Sequence, residues 1–230
     1  MCAAEFVRNG AVVADIGTDH GYLPIMLLKN GICEYAYASD INRMPLEKAR
    51  INAKKYGTAE KMSFHISDGL DFVDRGECRS KPDITDIVIM GMGGELISEI
   101  LDKSGYVKNS GVRLILQPMS MADKLRIYLC ENGFGIKDER LCTAAGKIYS
   151  VICAEYDGTK RELGEAETLL GENNIERGGE LFRKYAENVK YKLKKKIDGL
   201  EKGGHDAATE TRLYNEIEKI LTRGKNDDIS

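Results

Sequence analysis

The segment Asp15-Ile16-Gly17-Thr18-Asp19-His20-Gly21-Tyr22 puts two carboxylates, an imidazole and a phenol in or beside one glycine-containing loop. Gly17 and Gly21 allow a tight turn and close approach of backbone to a ligand. An apolar run, Ala11 to Ile16, leads into the loop, and a helical pattern starting at Tyr22 leads out. The first N–H groups of such a helix favour a carboxylate or a phosphate. Asp40 ends the next apolar run, 19 residues after Gly21, with Ile41 behind it. An acidic side chain at that place suits ribose hydroxyls. The set fits a nucleoside cofactor, whether a dinucleotide or S-adenosylmethionine.

Position 19 separates the two. A dinucleotide fingerprint has its second glycine there, so that backbone meets pyrophosphate. Here Asp19 would place like charge beside a phosphate in a desolvated site. S-adenosylmethionine has no phosphate; it carries an ammonium and a sulfonium, which Asp19 and Asp15 attract. Two further motifs stand where this chemistry would use them. Ser67-Asp68-Gly69 follows a third strand-like run, and the Asp68 carboxylate suits the exocyclic amine of an adenine. Met90-Gly91-Met92-Gly93-Gly94 follows a fourth. Its glycines leave room for a flat substrate at the carboxyl edge of an open sheet. The cofactor set read here is Asp15, Gly17, Asp19, His20, Gly21, Asp40, Ile41, Asp68, Gly69, Met90 and Gly91.

The elements that must position these residues follow a βαβα rhythm. Strands are predicted over Ala11–Ile16, Tyr35–Asp40, Met62–Ile66, Ile84–Met90 and Arg113–Gln117. Helices are predicted over Tyr22–Lys29, Pro45–Tyr56, Leu96–Leu101 and Met121–Asn132. That alternation implies a parallel sheet covered on both faces. Phe134–Cys142 and Lys147–Tyr156 then read as an antiparallel hairpin. The expected domain is α/β and Rossmann-like, a mostly parallel seven-stranded sheet closed by a hairpin. A nicotinamide dehydrogenase would carry a parallel sixth strand instead. Beyond residue 158 charge rises, and Leu181, Tyr185, Val189, Leu193 and Ile197 recur every four residues. This predicts a long amphipathic helix, broken at Gly203-Gly204 and followed by a second through Leu213 and Leu221. The chain thus divides into 1–158, catalytic, and 159–230, a small coiled-coil-like helical hairpin.

Composition excludes several classes. Among 230 residues 42% are hydrophobic, ordinary for a globular protein. No apolar run approaches the roughly 18 residues that span a bilayer. No secretory leader is visible at the start, so cytoplasm is the default compartment. Six scattered cysteines without a CxxC pair, and three distant histidines, support neither zinc nor a disulfide framework. Net charge is −3: residues 1–158 hold 19 Lys+Arg against 22 Asp+Glu, and residues 159–230 hold 15 against 15. The densest basic run is Lys190 to Lys196. It reads as a solvated helix face or as a phosphate contact, with Lys192, Lys195 and Lys196 projecting from the apolar stripe.

VADIGTDHGYLP (Val13–Pro24), SDGL (Ser67–Leu70), GMGG (Gly91–Gly94), LILQP (Leu114–Pro118) and GKIY (Gly146–Tyr149) occur here in order. In them the chain resembles the bacterial tRNA (adenine-22-N1)-methyltransferases, from about Asn9 to Tyr156 and more loosely to the C-terminus. The resemblance implies S-adenosylmethionine-dependent methylation of N1 of an adenine in the D-arm region of tRNA. It also implies a Rossmann-like catalytic domain followed by a helical domain, with tRNA as partner. Family members carry a longer N-terminal segment with a Ser-x-Arg-Leu pattern, whereas strand one begins here after about ten residues. Adenine N1 has a lone pair at neutral pH, so alignment rather than deprotonation carries the reaction, and the base must leave its stack. His20, Tyr22, Gly91, Met92, Gly93 and Gln117 are the candidate catalytic pocket, and Lys192, Lys195 and Lys196 the candidate tRNA contacts.

Competing readings are a methyltransferase acting on another RNA or a small molecule, and a non-catalytic S-adenosylmethionine-binding protein. A nicotinamide-linked oxidoreductase is opposed by Asp19 and the hairpin. The sequence leaves the oligomeric state open and is compatible with a monomer.

Overall fold

In β1 (Ala11–Ile16) every residue is buried, and side-chain alternation decides where each goes. Val12, Ala14 and Ile16 join one core, while Ala11 and Val13 join another on the opposite face. Both faces are dry because helices cover both. This computed structural model describes residues 2–78 and 82–226.

After β1 come α1 (Tyr22–Lys29), β2 (Cys33–Asp40), α2 (Arg43–Lys55), β3 (Met62–Ile66), α3 (Asp71–Asp74) and β4 (Asp86–Gly93). Then follow α4 (Gly94–Lys103), β5 (Arg113–Ser120), α5 (Ala122–Glu131), β6 (Phe134–Ala144) and β7 (Lys147–Tyr156). The sheet order is β3-β2-β1-β4-β5-β7-β6. The first five strands pair in parallel, and β7 enters antiparallel between β5 and β6. The β6–β7 turn rests on Ala145 (φ 49°) and Gly146 (φ 74°), two left-handed residues as a tight two-residue hairpin requires.

β2 begins at Cys33, β4 at Asp86 and β6 ends at Ala144, and at the carboxyl edge two strands run on past the ends expected from sequence. β4 continues through Gly93 and β5 through Ser120, with irregular register where Met92 meets Pro118 and Gly93 meets Ser120. The glycine motif is therefore the bulged end of a strand rather than a loop after it. Gly94, the first residue of α4, is needed for packing: a Cβ there would overlap the Met121 carbonyl.

The remaining chain is helical: α6 (Glu165–Leu170), α7 (Glu172–Arg177), α8 (Gly179–Lys202) and α9 (Ala208–Asn226). α8 and α9 form the expected antiparallel pair, while α3, α6 and α7 were not anticipated. Phe182, Ala186, Ile217 and Leu221 form a small core with Leu170, and Leu141 of β6 packs against it. A buried ion pair fastens this unit to the sheet. Arg126 Nη2 lies 2.6 Å from Glu139 Oε1, both side chains fully buried. Arg126 also donates to the Thr168 and Leu169 carbonyls at 2.7 and 3.1 Å. Burial opposes the guanidinium charge, but the Glu139 carboxylate outweighs it and raises the Arg126 pKa.

Candidate active site

Strand register alone gathers the motif residues at one edge. Ile16 pairs with Ser39 on one side and Ile89 on the other, Asp40 pairs with Ile66, and Met90 pairs with Gln117. The loop after β1, Asp40, Ser67-Asp68-Gly69 and the glycine run thus share the carboxyl edge of the sheet, where ligands bind in open α/β folds.

The β1–α1 loop is held open by its backbone. Gly17, His20 and Gly21 have φ of 72°, 62° and 67°. The Gly17 and Thr18 N–H groups both donate to the Ser39 carbonyl, at 2.8 and 2.9 Å. His20 is the unusual member, because a non-glycine residue in the left-handed region is strained. Asn52 of α2 holds it there, donating from Nδ2 to the His20 carbonyl at 2.9 Å. Nothing in the sequence marks Asn52, a polar residue inside a helix whose partner is 32 positions away. The His20 ring stacks on Tyr22, centroids 5.5 Å apart and planes at 13°, and its Nε2 lies 3.1 Å from Asp19 Oδ1. Tyr22 is 55% exposed, so the pair presents an aromatic surface beside the carboxyl edge of the sheet.

The glycine run closes the opposite wall. A Cβ at Gly17 would overlap Met92 Cε, so Met92 lies directly over the β1–α1 loop and joins the two motifs. The Gly91 N–H donates to Gln117 Oε1 at 3.1 Å, and Gln117 Nε2 donates to the Pro118 carbonyl at 3.2 Å. Buried with both ends of its amide engaged, Gln117 positions the glycine run. A Cβ at Gly91 would meet nothing within 4 Å, so that stretch borders open space.

The acidic residues differ in environment. Asp15 is 8% exposed, and burial pushes its pKa up to about 6, tempered by the nearby Thr18 hydroxyl. Asp40 is half-buried and accepts the Asn42 N–H at 2.7 Å. Asp68 is exposed and lies 3.6 Å from Lys103 Nζ. Ile41 is 64% exposed beside Asp40. The Ser39 hydroxyl is buried in this region without forming a hydrogen bond, and the buried Thr18 hydroxyl faces the Asp15 carboxylate. Sequence reasoning named neither.

Of the candidate RNA contacts, Lys196 is not free as expected. It pairs with Glu210 of α9 at 2.8 Å. Lys195 lies over the Tyr191 ring, 4.6 Å from its centroid. Lys192 is exposed and, with Lys196, lines a groove of about 330 Å³ against Met119, Met121 and Tyr149. Among the described residues no group of three acidic, histidine or cysteine side chains is placed to hold a metal, and no helix is long and apolar enough to cross a membrane.

A methyltransferase-domain family model matches residues 1–152. The Bacillus subtilis (strain 168) tRNA (adenine(22)-N(1))-methyltransferase is 36% identical over 168 residues, covering 70% of this chain and 68% of that protein. The crystal structure of the B. subtilis M1A22 tRNA methyltransferase TrmK matches with a TM-score of 0.78 at 28% identity, covering 96% of this chain and 95% of that one. M. capricolum TrmK in complex with the cofactor product S-adenosyl-homocysteine matches with a TM-score of 0.74 at 27% identity, covering 96% and 94%. With its seven-stranded sheet, its glycine-lined edge and these relatives, the chain belongs to the methyltransferase-domain family and, within it, to the tRNA (adenine(22)-N(1))-methyltransferases.

Proposed function

We propose that this protein transfers the methyl group of S-adenosylmethionine to N1 of an adenine in tRNA, at position 22. The observation that carries the reading is the meeting of two glycine motifs at one sheet edge, with Met92 over Gly17. The donor set fits the cofactor: Asp15, Asp19, Asp40 and Asp68 supply carboxylates for its cationic, hydroxyl and amine groups, and a pyrophosphate would meet like charge there. Asp40 would hold the ribose, with Ile41 against the adenine and Asp68 at its amine. Gly17, Asp19, His20, Gly21, Gly69, Met90 and Gly91 would complete the wall. When bound, the cofactor supplies a methyl group on sulfonium that is displaced in line.

The chain's own contribution is alignment. Left-handed backbone at His20 and Gly21 opens the loop, Asn52 fixes it, and Gln117 fixes the opposing glycine run. His20 and Tyr22 offer a stacking edge for a base drawn from its helix, and Met92 and Gly93 border the space it would enter. Adenine N1 needs no general base, since its lone pair is free at neutral pH. Residues 1–158 form the catalytic unit in this reading. Residues 159–230 form the helical unit that meets tRNA through Lys192, Lys195 and Lys196.

Asp15 gives a pH signature. Its folded pKa of about 6 lies above the ordinary 3.8. Between those values the folded protein retains a proton that the unfolded chain has released, so this group's stabilisation falls as pH rises through the window. A bound cation favours the carboxylate and draws that proton off. Affinity for S-adenosylhomocysteine, which keeps the ammonium, should therefore rise about tenfold from pH 5 to pH 7. Calorimetry across that range is the check, and Asp15→Asn should flatten the curve. A flat curve in the parent would remove Asp15 from the site. The reading as a whole is tested by tritiated methyl transfer from S-adenosylmethionine into unmodified tRNA. Label should appear in the RNA, and a protein that binds the cofactor but labels no tRNA contradicts it.

A further inference from the structure

Helix α2 reads RMPLEKARINAKK, five basic residues against one acidic. Arg43, Lys48, Arg50, Lys54 and Lys55 are all exposed. Among the described residues none of the five forms an ion pair with a carboxylate. Arg50 lies over the Phe64 ring, 4.6 Å from its centroid, and Lys55 lies 5.5 Å from that of Tyr56. The lysine run of α8 is different. Lys190 is held by Glu187 and Glu218, Lys194 by Asp198 at 3.0 Å and Lys196 by Glu210 at 2.8 Å. Those carboxylates cancel most of the charge that the sequence displays there. The unneutralised positive charge is concentrated on α2, inside a catalytic unit that is net negative.

The exposed face of α2 is also apolar in a pattern. Met44, Lys48, Ile51 and Lys55 fall on one stripe, opposite the buried Leu46, Ala49 and Ala53. Met44 and Ile51 are 67% and 64% exposed. A merely solvated face has no use for them, whereas a ribose-phosphate chain offers both anionic and apolar surface. The helix begins three residues after Asp40, at the mouth of the site. Its 13 residues run about 20 Å away from it. The helical hairpin is attached through β6, at the far edge of the sheet. α2 packs on β2 and β3 at one flank of the mouth, and Lys192 and Lys196 of the hairpin line a groove with Met119 and Met121 at the other.

We propose that α2 is a docking surface for the phosphate backbone of the RNA substrate, gripping it on the flank opposite the helical hairpin. The proposal rests on the reading that tRNA is the substrate. α2 supplies a second hold on the RNA, through its phosphates, beside the mouth of the site. The test is a Lys48→Gln/Lys54→Gln/Lys55→Gln variant, which leaves Arg43 and the Arg50–Phe64 contact intact. Affinity for unmodified tRNA is measured from about 50 to 200 mM salt, with S-adenosylhomocysteine affinity and methyl transfer alongside. The variant should bind tRNA at least tenfold more weakly, with a salt slope smaller by about two to three. KM for tRNA should rise, with kcat at saturating RNA and cofactor affinity unchanged. Unchanged tRNA affinity and slope would overturn the proposal. So would vesicles containing one quarter phosphatidylserine that bind the parent but not the variant while tRNA affinity stays the same, since the face would then serve a membrane. If the parent transfers no methyl group to tRNA, the functional reading falls, and the salt slope on the same RNA still decides whether α2 binds it.

Discussion

Replacing Arg126 with Met should destabilise the protein by roughly 3–5 kcal/mol, the cost of leaving a buried charge unpaired. Glu139 is fully buried and accepts from Arg126 Nη2 at 2.6 Å and from Nε at 3.1 and 3.2 Å. The Ser150 hydroxyl is its only other side-chain partner among the described residues, and one hydroxyl cannot replace a guanidinium. The lost side chain also abandons the Thr168 and Leu169 carbonyls, which anchor α6 and hence the helical hairpin. Urea unfolding of the variant measures the loss. The double variant Arg126→Met/Glu139→Leu should recover much of it, because the charge that demands a partner is gone. A loss below about 1 kcal/mol in the single variant would mean that water reaches Glu139.

Asp40→Ala should weaken cofactor binding by roughly 1.5–3 kcal/mol, an acceptor of two ribose hydroxyls being removed. That is about ten- to one-hundred-fold in affinity. Asp40 ends β2 and accepts the Asn42 N–H at 2.7 Å, an orientation that fixes the carboxylate at the sheet edge. Asp40→Asn keeps an acceptor and should lose less. Calorimetry with S-adenosylhomocysteine decides it, and unchanged affinity in a folded Asp40→Ala protein removes Asp40 from the site.

What could be read from the sequence follows a physical divide. The strands of the sheet core were legible because parallel strands buried on both faces write continuous apolar runs, as in Ala11–Ile16. The glycine positions were legible because left-handed backbone at Gly17 and Gly21 limits the residue types allowed. The long α8 was legible from its four-residue period. α6 and α7 were not, since six-residue helices cut off by Gly171 and Gly178 are too short to show a period. Side-chain partners distant in sequence were equally hidden. Asn52 on the His20 carbonyl and Arg126 with Glu139 depend on how elements pack. The pairing of the lysine run was hidden for the same reason: Glu210 and Glu218, which pair with Lys196 and Lys190, arrive from α9. The basic composition of α2 stands openly in the sequence, but that none of its five cations pairs with a carboxylate among the described residues is decided by the fold.

This sheet edge is expected to methylate N1 of one adenine in tRNA. Nucleoside mass spectrometry of unmodified tRNA, incubated with the protein and S-adenosylmethionine and mapped by nuclease fragments, tests it most directly. The expected result is N1-methyladenosine at position 22 and no other new methylated nucleoside, with the product absent when adenine 22 is replaced by guanine. A methyl group on another base or position, or none on RNA from a protein that binds the cofactor, would contradict the account.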